Sequence, residues 1–291
     1  MNKEPLKVTF LGPQGTYSHQ AAYDRFGSIV EYCESGTITD VFNAVSSGVA
    51  HAGIIPQENT IFGGVVETYD ALRNPDPGVI RGEIVLEVQH CLLVRRGVKF
   101  DEIQRIMSHE QALGQCRGFI AKNFKSASMV KMASTAAAAR ALLTASNSAA
   151  ICSKLCATVF DGLDVLFEGI QDQKSNFTRF YVLTASKDVR LPPPSSPIMG
   201  QTRCLVRLSS ARDPSSPPVS ITQLLSALAM TVSRLDRRPQ IDNTVPFRDL
   251  YFAELERASG VNTDTPWMPD IQQAMDRVRA AGGHIDLLGI W

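Results

Sequence analysis

The chain has 291 residues, 29 basic side chains against 29 acidic ones, and 44% hydrophobic residues, enough for two or three compact units with a substantial core. The balanced charge and scattered Lys and Arg exclude a phosphate-backbone binder, and no apolar run is long enough to span a bilayer, so neither nucleic acid nor a membrane is expected as a partner. The six cysteines (Cys33, Cys91, Cys116, Cys152, Cys156 and Cys204) include no C-x-x-C, and the Cys152/Cys156 pair lacks a second pair to complete a metal site; the expectation is reduced, buried thiols in a cytoplasmic protein without a metal or cofactor.

In chain order, MNKEPLKVTF turns at once into a strand-like run, unlike a secretory signal. KVTFLG reads as a buried strand and SHQAAYDRF as the helix after it. ITDVFNAVSSG is a second helix, capped near Thr39 or Asp40 and stopped at Gly48. VAHAGIIP is a strand ended by Pro56. GEIVLEVQHCLLVRRG carries aliphatic residues at strand spacing. EQALGQCRGFIAKNF and STAAAARALLTAS are helical, the second capped by Ser134 or Thr135. SAAIC is a short strand, SKLCATVFDG a helix stopped at Gly162, and RFYVLTA a further strand. This alternation predicts an α/β fold with largely parallel sheets.

Composition then changes. RLPPPSSPIMGQ, Arg190 to Gln201, reads as a Pro/Ser-rich linker. Beyond it come the strand TRCLVRLSS, the helix SITQLLSALAM, two strands in SRLDRRPQ and RDLYFAELE, the amphipathic DIQQAMDRVRAAGG and the closing strand HIDLLGIW. The order βαββαβ is that of a ferredoxin-like module.

The loop GPQGTYS, between the first strand and its helix, is neither a P-loop nor a Rossmann fingerprint. Its glycines allow a tight turn, and Thr16 and Ser18 add hydroxyls where helix N–H groups and dipole favour an anion. Without a lysine, a carboxylate suits it better than a polyphosphate; an ordinary Ser/Thr-capped turn is an equal reading of the stretch alone. IPQENTIFGG places Glu58 and Asn59 after a strand, where open α/β sheets bind ligands. SHEQALGQC offers Ser108, His109 and Gln111 at a helix start. NFTRFYVL puts Asn176, Thr178 and Arg179 at a strand entry, where Arg179 suits either a ligand carboxylate or a structural acid.

FLGPQGTYSHQAA, PQENT with GGVVETYDAL, SHEQALGQC, the Ser134-Thr135 pair and GIQDQKSNFTRF, in this order, resemble the prephenate dehydratases. The resemblance implies a two-lobed, periplasmic-binding-protein-like catalytic domain over residues 1–187, with lobe 1 at about 1–85 and 172–187 and lobe 2 at about 86–171. It implies a linker over 188–200 and a divergent ACT-like domain over 201–291. It also implies decarboxylative dehydration of prephenate to phenylpyruvate on the route to phenylalanine, without a cofactor. By resemblance Thr178 is the catalytic hydroxyl. Thr16, Ser18, Asn59, Gln111, Ser134, Thr135, Asn176 and Arg179 are then expected to bind substrate, and Phe180 to pack. Glu58 is either an ionised contact or, in a closed cleft, a rival general acid.

The chain departs from the family pattern at Gln57 and Glu110, which stand beside expected contacts. In the C-terminal module PPVSITQLL replaces a Gly-Ala-Leu turn, and Asp236, Arg237, Arg238 and Pro239 replace the Glu-Ser-Arg-Pro motif. Phenylalanine as an effector is therefore in doubt, and prolines at 217 and 218 lack the N–H groups that grip a carboxylate. Pairing of such modules implies a homodimer or homotetramer. The alternatives are an arogenate dehydratase, a prephenate decarboxylase, against which the intact Thr178 argues, or a catalytically silent amino-acid sensor.

Overall fold

The structure, a computed structural model, describes residues 5–193, 201–210, 218–240, 248–258 and 265–291. The chain runs β1 (Lys7–Leu11), α1 (Tyr17–Phe26), β2 (Glu31–Ser35), α2 (Ile38–Ser46), β3 (Ala52–Asn59), the two-residue β4 (Gly63–Gly64), α3 (Val66–Leu72) and β5 (Val79–Glu87). It continues through β6 (Cys91–Arg95), β7 (Arg105–Ser108), α4 (Glu110–Gln115), α5 (Arg117–Asn123), β8 (Ser128–Lys131), α6 (Thr135–Ala141), β9 (Ser148–Cys152), α7 (Leu155–Val159) and β10 (Leu163–Phe167). Then follow β11 (Phe177–Thr184), β12 (Arg203–Ser210), α8 (Ile221–Leu228), β13 (Thr231–Pro239), β14 (Asp249–Glu256), α9 (Met268–Ala280) and β15 (Gly283–Ile290).

Two sheets form two lobes. The smaller, in the order β10-β6-β9-β7-β8, belongs to the second lobe. The chain enters that lobe through residues 88–90 and leaves it through 168–176, and the two crossings are tied where Val88 N–H donates to the Asn176 carbonyl at 2.7 Å. The larger sheet has the order β13-β14-β12-β15-β5-β11-β3-β1-β2, with β4 beside β3. Both sheets are mixed, which corrects the expectation of largely parallel ones. β2, β1 and β3 run parallel, but β11 lies antiparallel to both β3 and β5. β11 brings the chain back from the second lobe instead of crossing over a helix, so it need not run with its neighbours.

Local chemistry moves several boundaries. The α2 N-cap is Thr37, whose hydroxyl and Asp40 carboxylate form a reciprocal capping box, not Thr39 or Asp40, and the helix closes at Ser47. Pro56 does not end β3: it sits at a bulge, where the missing N–H is tolerated, and Gln57 is the extra residue between the rungs Phe180↔Pro56 and Arg179↔Glu58. The helix expected over EQALGQCRGFIAKNF breaks at Cys116, because the Asp172 carboxylate takes the Gly118 N–H at 3.1 Å and caps a second helix. The strands β2, β4, β7, β8 and β10 are additional to those expected.

The C-terminal module has the βαββαβ order with strands arranged β15-β12-β14-β13, and it does not stand apart. Its closing strand extends the first lobe's sheet where Gly289 pairs with Ile80. Leu205, Leu250, Phe252 and Leu288 of the module share one apolar core with Leu72, Ile80, Tyr181 and Leu183 of the lobe, each contributing on the order of 2 kcal/mol by burial. Arg207, almost fully buried, donates to the carbonyls of Leu72, Arg73 and Asn74 and pairs with Asp286 at 2.8 Å. Of the expected linker, residues 194–200 lie outside the described residues. The stretch before them is held to the lobe by Arg25, which donates to the Pro192 carbonyl at 2.7 Å.

The β15–β5 junction depends on glycine: a Cβ at Gly289 would stand 2.2 Å from the Ile80 carbonyl oxygen. Gly289→Ala is expected to lower the unfolding free energy by about 1–3 kcal/mol. Denaturant unfolding measures it, and an unchanged midpoint would show that the junction is not tight.

Candidate active site

A cavity of about 380 Å³ opens between the lobes. The first lobe supplies Thr16, Tyr17, Asn59 and Phe62, the crossings supply Val88, His90 and Asn176, β11 supplies Thr178, and the second lobe supplies His109, Gln111, Gln115, Ser134 and Thr135. Among the described residues lining it, none carries a formal charge with histidine neutral; its polar surface is hydroxyl, amide and imidazole.

Thr178 and Asn59 face one another on neighbouring strands. The Asn59 amide nitrogen donates to Thr178 Oγ1 at 2.9 Å, to Asn176 Oδ1 at 2.7 Å and to the Phe177 carbonyl at 3.0 Å, sharing two protons among three acceptors. Its own oxygen accepts from the N–H groups of Ile61 and Phe62. With one lone pair of Thr178 Oγ1 so occupied, its proton is free to turn toward the cavity.

Helix starts frame the rest. Ser134 caps α6, accepting from Ala137 N–H at 3.0 Å, and His109 Nδ1 caps α4 by accepting from Gln111 N–H. Thr16 caps α1 and donates to the Leu11 carbonyl at 2.9 Å. The glycine loop before it is packed from both sides. Gly15 has φ +89°, and a Cβ there would lie 2.8 Å from Cys156 Sγ of the second lobe. Its N–H donates to His19 Nδ1 at 3.0 Å, and the His19 ring stacks on Phe10. Burial pushes His19 down to about 4, with Glu34 partly opposing.

Three expected site residues lie elsewhere. Side chains alternate across a strand, so the neighbours of Asn59 and Thr178 point to the opposite face. There Glu58 pairs with Arg179 and with Arg234 of the module, and Arg179 Nη1 pairs with Glu254 at 2.6 Å. Burial opposes the Arg179 charge, but Glu254 and Glu83 outweigh it and its pKa is raised. Glu58 is thus no acid for the cavity, and Arg179 clamps structural acids instead of a substrate carboxylate. Ser18 is buried under the start of α1 and does not line the cavity. Phe180 packs in the core as expected.

The sequence reading missed Tyr17, His90 and Gln115. The Tyr17 hydroxyl meets His90 Nδ1 at 2.7 Å and His90 Nε2 meets Gln115 Oε1 at 2.5 Å. A neutral imidazole satisfies both, donating to Gln115 and accepting from Tyr17. Burial lowers the His90 pKa, the Gln115 contact partly offsetting it, and burial with Cys152 nearby raises Tyr17 well above the ordinary phenol range. The chain Tyr17–His90–Gln115 joins α1 to α4 across the crossing. The one signal in the sequence was a histidine interrupting the apolar run on either side of it.

Of the cysteines, Cys33 is partly exposed and the other five are buried, all as free thiols. Among the described residues no cluster of three metal-binding side chains occurs, and no helix is long and apolar enough to cross a membrane.

A family model described as prephenate dehydratase matches residues 8–188. The chain belongs to the prephenate dehydratase family. It is 39% identical over 181 residues to a bifunctional chorismate mutase/prephenate dehydratase of Pseudomonas aeruginosa, covering 62% of this chain and 49% of that protein. The chain therefore spans about half the length of the curated relatives it matches at this level. The prephenate dehydratase of Arthrobacter aurescens, solved in complex with L-Phe, superposes with a TM-score of 0.75 at 26% identity over 98% of this chain and 89% of that one. A second structure, described as GqqA, a novel type of quorum-quenching acylase, gives a TM-score of 0.76 at 25% identity over 98% and 97%. In this chain's cleft the phenol of Tyr17 is the hydroxyl that meets a histidine, and Thr178 is held by an amide. Neither is the aliphatic hydroxyl and imidazole pair that acyl transfer uses.

His19 yields a prediction with a definite sign. The unfolded chain takes up its proton near 6.5, the folded chain only near 4. Stability is complete above pH 6.5 and falls as the pH drops toward 4, by up to about 3 kcal/mol. An NMR titration of the His19 ring should show a midpoint well below 6, and an ordinary one near 6.5 would refute the buried assignment.

Proposed function

We propose that the cleft catalyses the decarboxylative dehydration of prephenate to phenylpyruvate, a carbon–oxygen lyase reaction of aromatic amino acid biosynthesis. The observation that carries the reading is the Asn59–Thr178 contact: an amide donor occupies one lone pair of the threonine oxygen and leaves its proton free to turn toward a cavity in which no described lining residue carries a formal charge.

The reaction breaks two bonds that join substituents to the ring. The C–C bond to the ring carboxylate cleaves and CO₂ departs, its electrons entering the ring. The C–O bond at the opposite carbon cleaves and the hydroxyl leaves, taking a proton to become water. Aromatisation supplies the driving force. Hydroxide is a poor leaving group, and a positioned donor stabilises the charge developing on its oxygen. Thr178, polarised by Asn59 and backed by Asn176, has that role.

The other end of the substrate explains the neutral lining. A guanidinium on the ring carboxylate would stabilise the ground state more than a transition state in which that charge is dispersing, and so raise the barrier. Hydroxyl and amide donors around Thr16, Gln111, Ser134 and Thr135 orient the carboxylates without that penalty, and in a water-poor cleft such neutral donors act strongly. The same lining favours a keto acid over arogenate, because no carboxylate is among the described residues that line the cavity to receive an ammonium. Asp172, in the adjoining recess, is taken by the Gly118 N–H.

For regulation, weak or absent phenylalanine binding is the reading we favour for this chain. Asp236 pairs with Arg234, Arg237 with Asp249, and Arg238 bidentately with Asp70, while the Pro239 carbonyl accepts from Arg73. The charges that would meet a free amino acid are committed within the chain. Pro218 stands before α8, and position 217 lies outside the described residues. An ACT-type pairing of the module into a homodimer or homotetramer fits the fold, and a cytoplasmic location fits the reduced thiols.

Purified protein given prephenate at neutral pH should release phenylpyruvate, with arogenate turned over far more slowly. Thr178→Ala should depress kcat about 10²-fold with KM little changed; retained turnover would remove Thr178 from the mechanism. Titration calorimetry with L-phenylalanine should show no micromolar site, and a micromolar Kd would overturn the reading of the module.

A further inference from the structure

The face of the large sheet that turns away from the cleft carries a chain of charges running from the C-terminal module to the residues beside Asn59 and Thr178. Arg234, on β13, pairs through Nη1 with Glu58 and through Nε with Asp236 at 2.5 Å. Glu58 pairs in turn with Arg179, its partner across the β3–β11 ladder. Arg179 continues to Glu254 at 2.6 Å, which Arg203 also holds, at 2.7 Å. Glu254 is only 1% exposed, and the side chains of Glu58, Arg179 and Arg234 are 18–23% exposed.

Two features make this more than a surface cluster. The rung Thr178↔Asn59 that faces the cavity and the rung Arg179↔Glu58 that faces the module are consecutive, so the same stretch of backbone carries both pairs. And β3 bulges at Gln57 just before these rungs, so the end of the strand is released from the regular ladder and needs another constraint. Room for that constraint is made by Gly64, opposite Glu58: a Cβ there would lie 2.8 Å from Arg234 Nη2. The guanidinium also lies 5.9 Å from the centre of the Tyr69 ring, and the Tyr69 hydroxyl accepts from the bulged Gln57 at 2.7 Å.

We infer that Arg234, although it belongs to the C-terminal module and touches no substrate, is a positioning residue for the Asn59–Thr178 pair, acting through Glu58. This rests on the dehydratase reading of the cleft. Misplacing a catalytic group by a fraction of an ångström costs turnover more than binding. The device makes the module part of the working site, and it assigns Glu58 and Arg179 a reason to stand beside the reacting pair without entering the cavity.

The test uses the full chain. Arg234→Ala should lower kcat on prephenate about tenfold or more, with KM within about threefold. Arg234→Lys, which keeps the charge, should restore much of the loss. Gly64→Ala, which displaces the guanidinium without removing it, should lower kcat in the same direction and serves if Arg234→Ala does not fold. Arg234→Ala combined with Glu58→Gln should be no slower than Glu58→Gln alone, since the two act in series. Arg279→Ala, an exposed pair on the same module, is the control. Wild-type kcat in Arg234→Ala, or losses that multiply in the double variant, would overturn the inference. A wild-type protein inert toward prephenate would sink the dehydratase reading instead. The inference would then be read by hydrogen exchange, where Arg234→Ala should speed exchange about tenfold over residues 57–62 and 176–180 relative to wild type and Arg279→Ala, and equal rates would overturn it.

Discussion

Everything at this site hangs on one rung of a β-ladder. Asn59 and Thr178 meet because β3 and β11, separated by more than a hundred residues of chain, pair antiparallel at that register. The amide–hydroxyl hydrogen bond between them occupies one lone pair of the threonine oxygen and leaves its own proton free for another acceptor. A one-residue slip of either strand would turn its charged residue, Glu58 or Arg179, into the cavity and withdraw its neutral neighbour. The register is protected by what lies behind it: a desolvated arginine–carboxylate network is costly to break once buried, so the charges resist a slip even where they add little net stability.

The separation of charge from chemistry follows from the same rung. Ionised groups are gathered on the module side of the sheet, and neutral donors on the cleft side. For the proposed substrate, which sheds a carboxylate, strong cationic binding would be spent on the state that must be left behind. The lobes add their donors from helix starts and hydroxyls, while the Tyr17–His90–Gln115 chain ties them together without introducing a charge, because the buried imidazole stays neutral.

Much of this was legible in the sequence. The motifs around Thr16, Asn59, Gln111, Ser134 and Thr178 are local, and each sits at an element end, so the boundaries drew attention to them, while the family resemblance supplied the roles expected of them. The βαββαβ order of the tail was legible from periodicity alone. Strands such as RIMS and SMVK were too short and too mixed to show any period. The misplacement of Glu58 and Arg179 was avoidable in principle: residues adjacent to Asn59 and Thr178 on a strand must face the other way. What no pattern could reveal is the pairing of Tyr17 with His90, or of Glu58 with Arg234, since both join positions brought together only by tertiary packing.

The C-terminal module illustrates how a compositional break misleads about mechanics. Pro and Ser before it suggest a free tether, yet its closing strand continues the lobe's own sheet and its apolar face completes the lobe's core. Arg207 threads into the end of α3, and Arg238 grips Asp70 on the same helix. A module attached at three such places cannot rotate as a loose domain without breaking buried charged hydrogen bonds and exposing Leu205 and Phe252. The Arg234–Glu58 pair, between β13 and β3, is a side-chain link from the module to the strand that carries Asn59. The proposed positioning role of Arg234 therefore rests on a module built into the lobe, not tethered to it.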